Sequence, residues 1–260
     1  MSTIVVVPTY NEAGNLPALV EQLLALPLGL RVLFVDDASP YGTGRIADRL
    51  AAEHSGRLHP IHRPGKHGLG SAYAAGFRAA FELGATYVIT MDADFSHQPR
   101  YVQSMVAMAA NFDVVIGSRY VAGGRTEGAP FHRRLLSRGA NGFARTLLGL
   151  QARDATAGFR LYRREVLESI PLGSIFSSGY SFLIEMLYLV QSRHWRIGET
   201  PIVFQDRFAG RSKISQAEIA RALYTVVRLA LRRSRAWLMP ARALPAGMKR
   251  AEGPRRPASR

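Results

Sequence analysis

Hydrophobic and polar positions alternate between two periods along the first half of the chain. Thr3-Ile4-Val5-Val6-Val7 is a run of mostly β-branched residues stopped by Pro8, which predicts a strand buried on both faces. Asn11 to Leu26 follows with Leu16, Leu19, Val20, Leu23 and Leu24 at helical spacing. Arg31 to Val35 predicts a second buried strand ending on Asp36-Asp37. Thr43 to His54 predicts a helix, Leu58 to His62 a short strand and Gly70 to Leu83 an alanine-rich helix. Tyr87 to Met91 predicts a strand that again ends on acids, Asp92-Ala93-Asp94, before a helix over Pro99 to Ala110 and a strand at Val114-Val115-Ile116. This alternation predicts an α/β domain with a mostly parallel sheet flanked by helices. Ligands of such sheets bind at the carboxyl edge of the strands.

The second half is patterned differently. Arg133 to Leu148 predicts a helix with Arg and Leu interleaved, Phe159 to Tyr162 a strand, Ser181 to Gln191 an apolar helix and Arg196 to Phe204 a strand. Ser215 to Arg235 predicts an amphipathic helix in which Glu218, Arg221, Thr225, Arg228, Arg232 and Arg235 form one polar stripe. The expected organisation is one domain over residues 1–235 and a basic Pro/Ala/Arg-rich tail over 236–260 with no packed core.

Composition narrows the classes. The 260 residues are 47% apolar and 20% charged, as in a globular protein. The absence of cysteine excludes disulfides, zinc-thiolate sites and a thiol nucleophile. The start, Met1-Ser2-Thr3-Ile4, lacks the pattern of a signal peptide, and no apolar run reaches the roughly 18 residues of a membrane span. Net charge is +15, and from Arg228 to Arg260 ten Lys/Arg against Glu252 give +9 within 33 residues. A nucleic acid, an anionic membrane surface or plain solvation would each suit that tail. Apart from Trp237 no aromatic follows Tyr224 to stack on bases, so nucleic acid is not expected as a partner.

The candidate chemistry is acidic. Carboxylates two apart on an extended segment share a side, and at a strand end they suit either a hard divalent cation with substrate phosphates or a solvated acidic turn. Asp36-Asp37 is a second acid pair at the end of a second buried strand, and in a parallel sheet both pairs lie on one edge and could face one pocket, although Asp-Ala-Ser-Pro is also a good turn sequence. Gly68-Leu69-Gly70 fails as a dinucleotide loop because Tyr73 occupies the third glycine position. Neither a phosphate-binding P-loop nor a G-x-S-x-G nucleophile elbow is present. His59 and His62 would face opposite sides of a strand, and the other histidines lack metal-ligand spacing.

Val7-Pro8-Thr9-Tyr10-Asn11-Glu12, Val35-Asp36-Asp37-Ala38-Ser39-Pro40, Met91-Asp92-Ala93-Asp94, Gly117-Ser118-Arg119-Tyr120, Ser137-Arg138-Gly139-Ala140-Asn141, Gly158-Phe159-Arg160 and Arg207 to Lys213 occur in this order. Over residues 2–230 the set resembles the dolichol-phosphate (polyprenol-phosphate) mannosyltransferases, inverting family 2 glycosyltransferases of the GT-A fold. The resemblance implies that Pro8, Tyr10, Glu12, Val35 and Asp37 hold the nucleoside of GDP-mannose. It implies that Asp92, Ala93 and Asp94 hold its diphosphate and a Mg²⁺ or Mn²⁺ ion. Ser96 stands where some members have a Gln metal ligand. Arg119, Arg133 and Ser137 would meet the phosphate of a polyprenyl monophosphate, with Arg207 and Lys213 on a loop over both substrates. Asp94, Arg119 and Lys213 would carry catalysis. Many members have C-terminal transmembrane helices; this chain resembles the single-domain ones, some of which work with a separate membrane-anchoring subunit. The expected location is cytoplasmic, peripheral on the cytoplasmic face of a membrane. A polyprenyl-phosphate glucosyltransferase using UDP-glucose is the alternative on the same fold.

Overall fold

In the computed structural model, which describes residues 2–179, 181–206 and 216–238, the apolar runs of the first half become almost fully buried strands. Strands β1 (Thr3–Thr9), β2 (Arg31–Asp36), β3 (Leu58–His62) and β4 (Tyr87–Thr90) alternate with helices α1 (Leu16–Leu24), α2 (Thr43–Glu53) and α3 (Leu69–Glu82). β1 to β4 pair in parallel, so their carboxyl ends share one edge. The two-residue period splits their side chains between two cores. Ile4, Val6, Leu33 and Val35 pack with Tyr73 and Phe77 of α3, whereas Val5, Val7, Val32 and Phe34 pack with Leu16, Leu19 and Leu23 of α1. Helix α3 lies so close to the sheet that a Cβ on Gly76 would sit 2.4 Å from Val6 Cγ1.

The remaining elements are a 3₁₀ turn (Pro99–Tyr101), α4 (Val102–Met108), β5 (Val114–Ser118), β6 (Arg125–Glu127), α5 (Phe131–Leu148), β7 (Arg160–Arg163), α6 (Arg164–Glu168), α7 (Ser181–Ser192), β8 (Ile197–Pro201), β9 (Val203–Gln205) and α8 (Gln216–Leu238). The main sheet runs β3-β2-β1-β4-β7-β5-β8. β7 is antiparallel to both β4 and β5, while β5 and β8 pair in parallel. An antiparallel strand there has a consequence for the site: β7 starts where its neighbours end, so the loop before it, residues 149–159, sits at the carboxyl edge.

Two expectations need correction. Helix α1 starts at Leu16, not Asn11, because Pro17 is accommodated only in the first turn of a helix. Residues 11–15 instead turn, with Asn11 at φ 61° and its N–H donating to Ser39 Oγ. The strand expected over Arg196 to Phe204 breaks at Ile202 into β8 and β9, and β9 leaves the main sheet to pair in parallel with β6. β6 itself has no signature in the hydrophobic pattern.

Among the described residues, no helix is long and apolar enough to cross a membrane. Helix α8 packs on α5 and α7, burying Thr225, Val226 and Leu229. Residues 239–260, most of the expected tail, lie outside the described residues.

Candidate active site

The carboxyl edge carries two clusters. The first is at the ends of β1 and β2. Asp36 Oδ1 accepts hydrogen bonds from the hydroxyls of Thr9 and Ser39, and its Oδ2 accepts from the Ser39 N–H at 3.0 Å. That carboxylate builds the turn. Asp37 pairs with Arg63 Nη1 at 2.6 Å. Burial pushes the Asp37 carboxyl up, against the opposing pull of Arg63 and His67. Lys66 Nζ stands 4.1 Å from the Tyr10 ring centroid, and the Glu12 N–H donates to Thr43 Oγ1. Pro8 and Val35 are paired neighbours on β1 and β2. The five residues expected to hold a nucleoside are thus together.

The second cluster surrounds a cavity of about 530 Å³ at the ends of β4, β5 and β7. It brings together Asp92, Asp94, Ser96, Arg119, Arg133 and Ser137, gathered from positions up to 45 residues apart. Asp36 and Asp37 do not line it, so the two acid pairs serve different pockets. Ala93 is buried beneath the turn.

Asp92 to His97 is not an extended segment. β4 ends at Thr90, and Phe95 at φ 61° folds the chain back on itself. Asp94 Oδ1 accepts from the Ser96 N–H at 3.1 Å, and the Asp92 N–H donates to His97 Nδ1 at 3.0 Å. His97 is 3% exposed. Burial holds its imidazole below the ordinary histidine range, overcoming the upward pull of Asp92 and Asp94. Among the described residues no group of three or more His, Cys, Asp or Glu could hold a metal alone. Asp92 and Asp94 fit a hard divalent cation that draws its other ligands from substrate phosphate and water, and the Ser96 hydroxyl lies on the same wall.

Arg119 faces the carboxylates' cavity from the end of β5. Its Nε and Nη2 donate to Asp154 Oδ2 and Oδ1, both at 2.8 Å, and Nη2 also donates to Thr156 Oγ1. The expected phosphate ligand is therefore half of a buried, bidentate ion pair. Burial works against the charge of both partners. Their mutual attraction wins, raising Arg119 above and lowering Asp154 below their ordinary values.

The loop that carries Asp154 is tied down from three sides. Asn141 of α5 donates to Arg153 O and accepts from the Ala155 N–H. The Glu199 carboxylate accepts from the N–H groups of Arg153 and Asp154. Arg160, fully buried, donates to the carbonyls of Ala155 and Leu183. Along the same cavity Arg133 Nη1 bonds Asp206 Oδ2 at 2.6 Å, and Ser137 Oγ lies 2.9 Å from the Tyr120 hydroxyl. Arg207 and Lys213 lie outside the described residues.

Sequence reasoning missed His97, Asp154 and Asp206. His97 is visible three residues after Asp94, but the role of acceptor for a backbone N–H has no spacing signature. Asp154 had none, because its partner is 35 residues away.

A family model for glycosyl transferase family 2 matches residues 4–170. The chain belongs to that family. It is a glycosyltransferase of the mostly parallel α/β architecture expected from its sequence. It is 42% identical over 231 residues to the polyprenol monophosphomannose synthase of Mycolicibacterium smegmatis, covering 88% of this chain and 87% of that protein. It is 41% identical to the undecaprenyl-phosphate mannosyltransferase of Micrococcus luteus, covering 89% of this chain and 95% of the relative. Its fold is similar to that of glucosyl-3-phosphoglycerate synthase from Mycobacterium tuberculosis, solved with Mn²⁺, UDP and product. The TM-score is 0.61 at 19% identity, covering 88% of this chain and 80% of that one.

Proposed function

We propose that the chain transfers mannose from GDP-mannose to a polyprenyl monophosphate with inversion at the anomeric carbon. The observation that carries this reading is one cavity with a carboxylate pair on one wall, arginines on another and an apolar exit. Leu136 and Phe143 of α5 and Leu223 and Val226 of α8 line that exit. A sugar diphosphate suits the first wall, a phosphomonoester the second and an isoprenoid chain the third. The names of the relatives at 41–42% identity support the same acceptor class.

The nucleoside sits in the Tyr10–Asp37–Lys66 cluster and directs its diphosphate across the edge toward β4. Asp92 and Asp94, with Ser96 near, would hold a Mg²⁺ or Mn²⁺ ion, which would supply charge neutralisation to the departing nucleotide. The acceptor phosphate, with a second pKa of about 6, is already an anionic nucleophile at neutral pH. The reaction needs no strong general base, and His97 is spent on the Asp92 N–H. Arg119, fixed by Asp154, orients the phosphate, and Arg133 exchanges Asp206 for it. Positioning of this kind supplies several kcal/mol of a barrier.

A membrane face adjoins the exit. Phe131 is 72% exposed, Leu135 61%, Tyr224 61% and Leu231 58%. Helix α5 carries Arg133, Arg134, Arg138 and Arg145 and no acid. Apolar residues among arginines on two packed helices suit an anionic lipid surface, the place where the acceptor resides. This surface supports the reading of an enzyme peripheral on the cytoplasmic face of a membrane, alone or with a membrane-anchoring subunit.

The test is transfer of labelled mannose from GDP-mannose to a polyprenyl monophosphate in detergent, with Mg²⁺ or Mn²⁺ and then with EDTA. Label entering the lipid phase and lost with EDTA is the expected result. UDP-glucose working in place of GDP-mannose would keep the acceptor and replace the sugar.

A further inference from the structure

We infer that His97 is a positioning residue for the Asp92–Asp94 carboxylate pair, acting through the hydrogen bond that its Nδ1 accepts from the Asp92 backbone. The inference rests on the metal-binding reading of that pair. A six-residue turn must present two carboxylates to one cavity, yet like charges side by side repel and would splay an unsupported loop. Asp94 Oδ1 accepts from the Ser96 N–H at 3.1 Å, which orients the second carboxylate. The backbone that carries the first is tied at the Asp92 N–H to His97 Nδ1 at 3.0 Å.

That tie fixes the imidazole's roles. An N–H donor requires Nδ1 to be the lone-pair nitrogen, so the ring's proton is on Nε2. Asp92 Oδ2 lies 3.8 Å from the same Nδ1, beyond hydrogen-bond distance, so its oxygens are not drawn toward the histidine. The ring cannot swing away. It stacks on Phe159 with centroids 5.1 Å apart and meets the edge of Phe204 at 5.6 Å. Its Cε1 also stands 3.5 Å from where a Gly158 Cβ would lie, so even alanine at 158 would touch it.

Phe204 carries the consequence further. The guanidinium of Arg119 stands over the same Phe204 ring, 5.4 Å from its centroid. The acid turn and the anion-binding arginine therefore rest on one aromatic prop supplied by β9. A histidine whose only role was packing would be replaceable by any flat ring.

The experiment measures Mn²⁺ binding in the presence of GDP, by electron paramagnetic resonance of unbound Mn²⁺, on the full chain and four variants. His97→Phe keeps the stack and removes the acceptor. His97→Asn restores an acceptor near the Nδ1 position. Asp94→Ala removes a carboxylate, and Phe204→Leu removes the prop. Groups that hold metal ligands in place are worth about 10–100-fold in affinity. His97→Phe should therefore weaken Mn²⁺ by about 10-fold or more while its melting temperature stays near that of the parent. His97→Asn should recover most of the loss, and Phe204→Leu should fall between. In turnover, His97→Phe should raise the apparent Mn²⁺ requirement while the KM for acceptor stays unchanged. A folded His97→Phe that binds Mn²⁺ as tightly as the parent, beside an Asp94→Ala that does not, overturns the role of His97 alone. A parent chain that binds no Mn²⁺ with GDP overturns the metal reading and this inference with it.

Discussion

The ends of β1–β2 and of β4–β7–β5 lie on one sheet edge, and both present pairs of aspartates, yet Asp36 at the first and Asp92 and Asp94 at the second are used in opposite ways. At the first, Asp36 accepts from Thr9 and Ser39, and Asp37 is held by Arg63. At the second, Asp92 and Asp94 are oriented through backbone N–H groups and line a cavity. The load of holding shape is moved to Asp154, behind Arg119. An acid's neighbours, rather than its place at a strand end, decide whether it builds the protein or serves a ligand.

The comparison breaks hardest at Asp154. Removing one partner of a buried ion pair leaves the other uncompensated and costs about 3–5 kcal/mol. Asp154→Ala should lower stability by that order and also abolish transfer, because Arg119 loses its orientation. Chemical denaturation separates the two effects from those of Asp154→Asn, which keeps neutral acceptors for Arg119. Acid adds a further handle. The Asp154 carboxyl is held below its ordinary value, so its contribution is present above about pH 4 and lost as pH falls through the folded-state pKa. The parent should lose stability on that descent, and Asp154→Asn should show a shallower loss. Equal slopes would show that the pair contributes nothing to acid sensitivity.

Asp94→Ala should do the reverse. Loss of a group that neutralises charge in the transition state costs about 100- to 1,000-fold in kcat. The fold should stay, because the carboxylate's described hydrogen bond is within its own turn. Normal turnover by a folded Asp94→Ala would remove it from the active site.

Asp36→Ala is the matching change at the other end. It strands the Thr9 and Ser39 hydroxyls and the Ser39 N–H, at about 1–3 kcal/mol. Melting temperature should fall, and the fraction that remains folded should keep its turnover within a few-fold. If Asp36→Ala instead abolished transfer without loss of stability, the division between a building acid and a serving acid would be wrong.

Much of this division was legible in the sequence, but unevenly. The parallel half announces itself in continuous apolar runs such as Ile4 to Val7 and Val32 to Val35, since a strand buried on both faces has no other composition available. Asp92 and Asp94 were legible for the same reason: polar residues that stop such a run must sit at its carboxyl end. The second half was harder because its decisive contacts are distant. β7 enters antiparallel between β4 and β5, and no local period encodes which neighbour a short strand chooses. Asp154 looks like any loop acid until that insertion carries it to Arg119. Asp36 and Asp37, adjacent and chemically alike, could not be told apart without knowing that Thr9, Ser39 and Arg63 converge on them. His97 stood in plain view beside the acid turn, but a buried acceptor for a backbone N–H has no spacing signature.

The smallest expected effect concerns the surface and sets the same two regions against each other. Each displays an exposed apolar side chain, Tyr41 at 77% beside the β2 turn and Leu135 at 61% on α5. Solvent exposure alone makes them equivalent. Their surroundings do not, because Leu135 lies among Arg133, Arg134 and Arg138 and next to Leu136, which lines the apolar exit of the cavity. Burying an aliphatic side chain fully is worth about 1.5–3 kcal/mol, and one dipped partway into a lipid interface about 1 kcal/mol, which is roughly fivefold in partitioning. Leu135→Ser should therefore weaken sedimentation with vesicles containing phosphatidylglycerol by about fivefold, with turnover in detergent unchanged. Tyr41→Ser should leave both where they are. If the two variants lose vesicle binding equally, the arginine-flanked face of α5 and α8 is not what meets the membrane, and the docking side must be sought nearer the β1–β2 end.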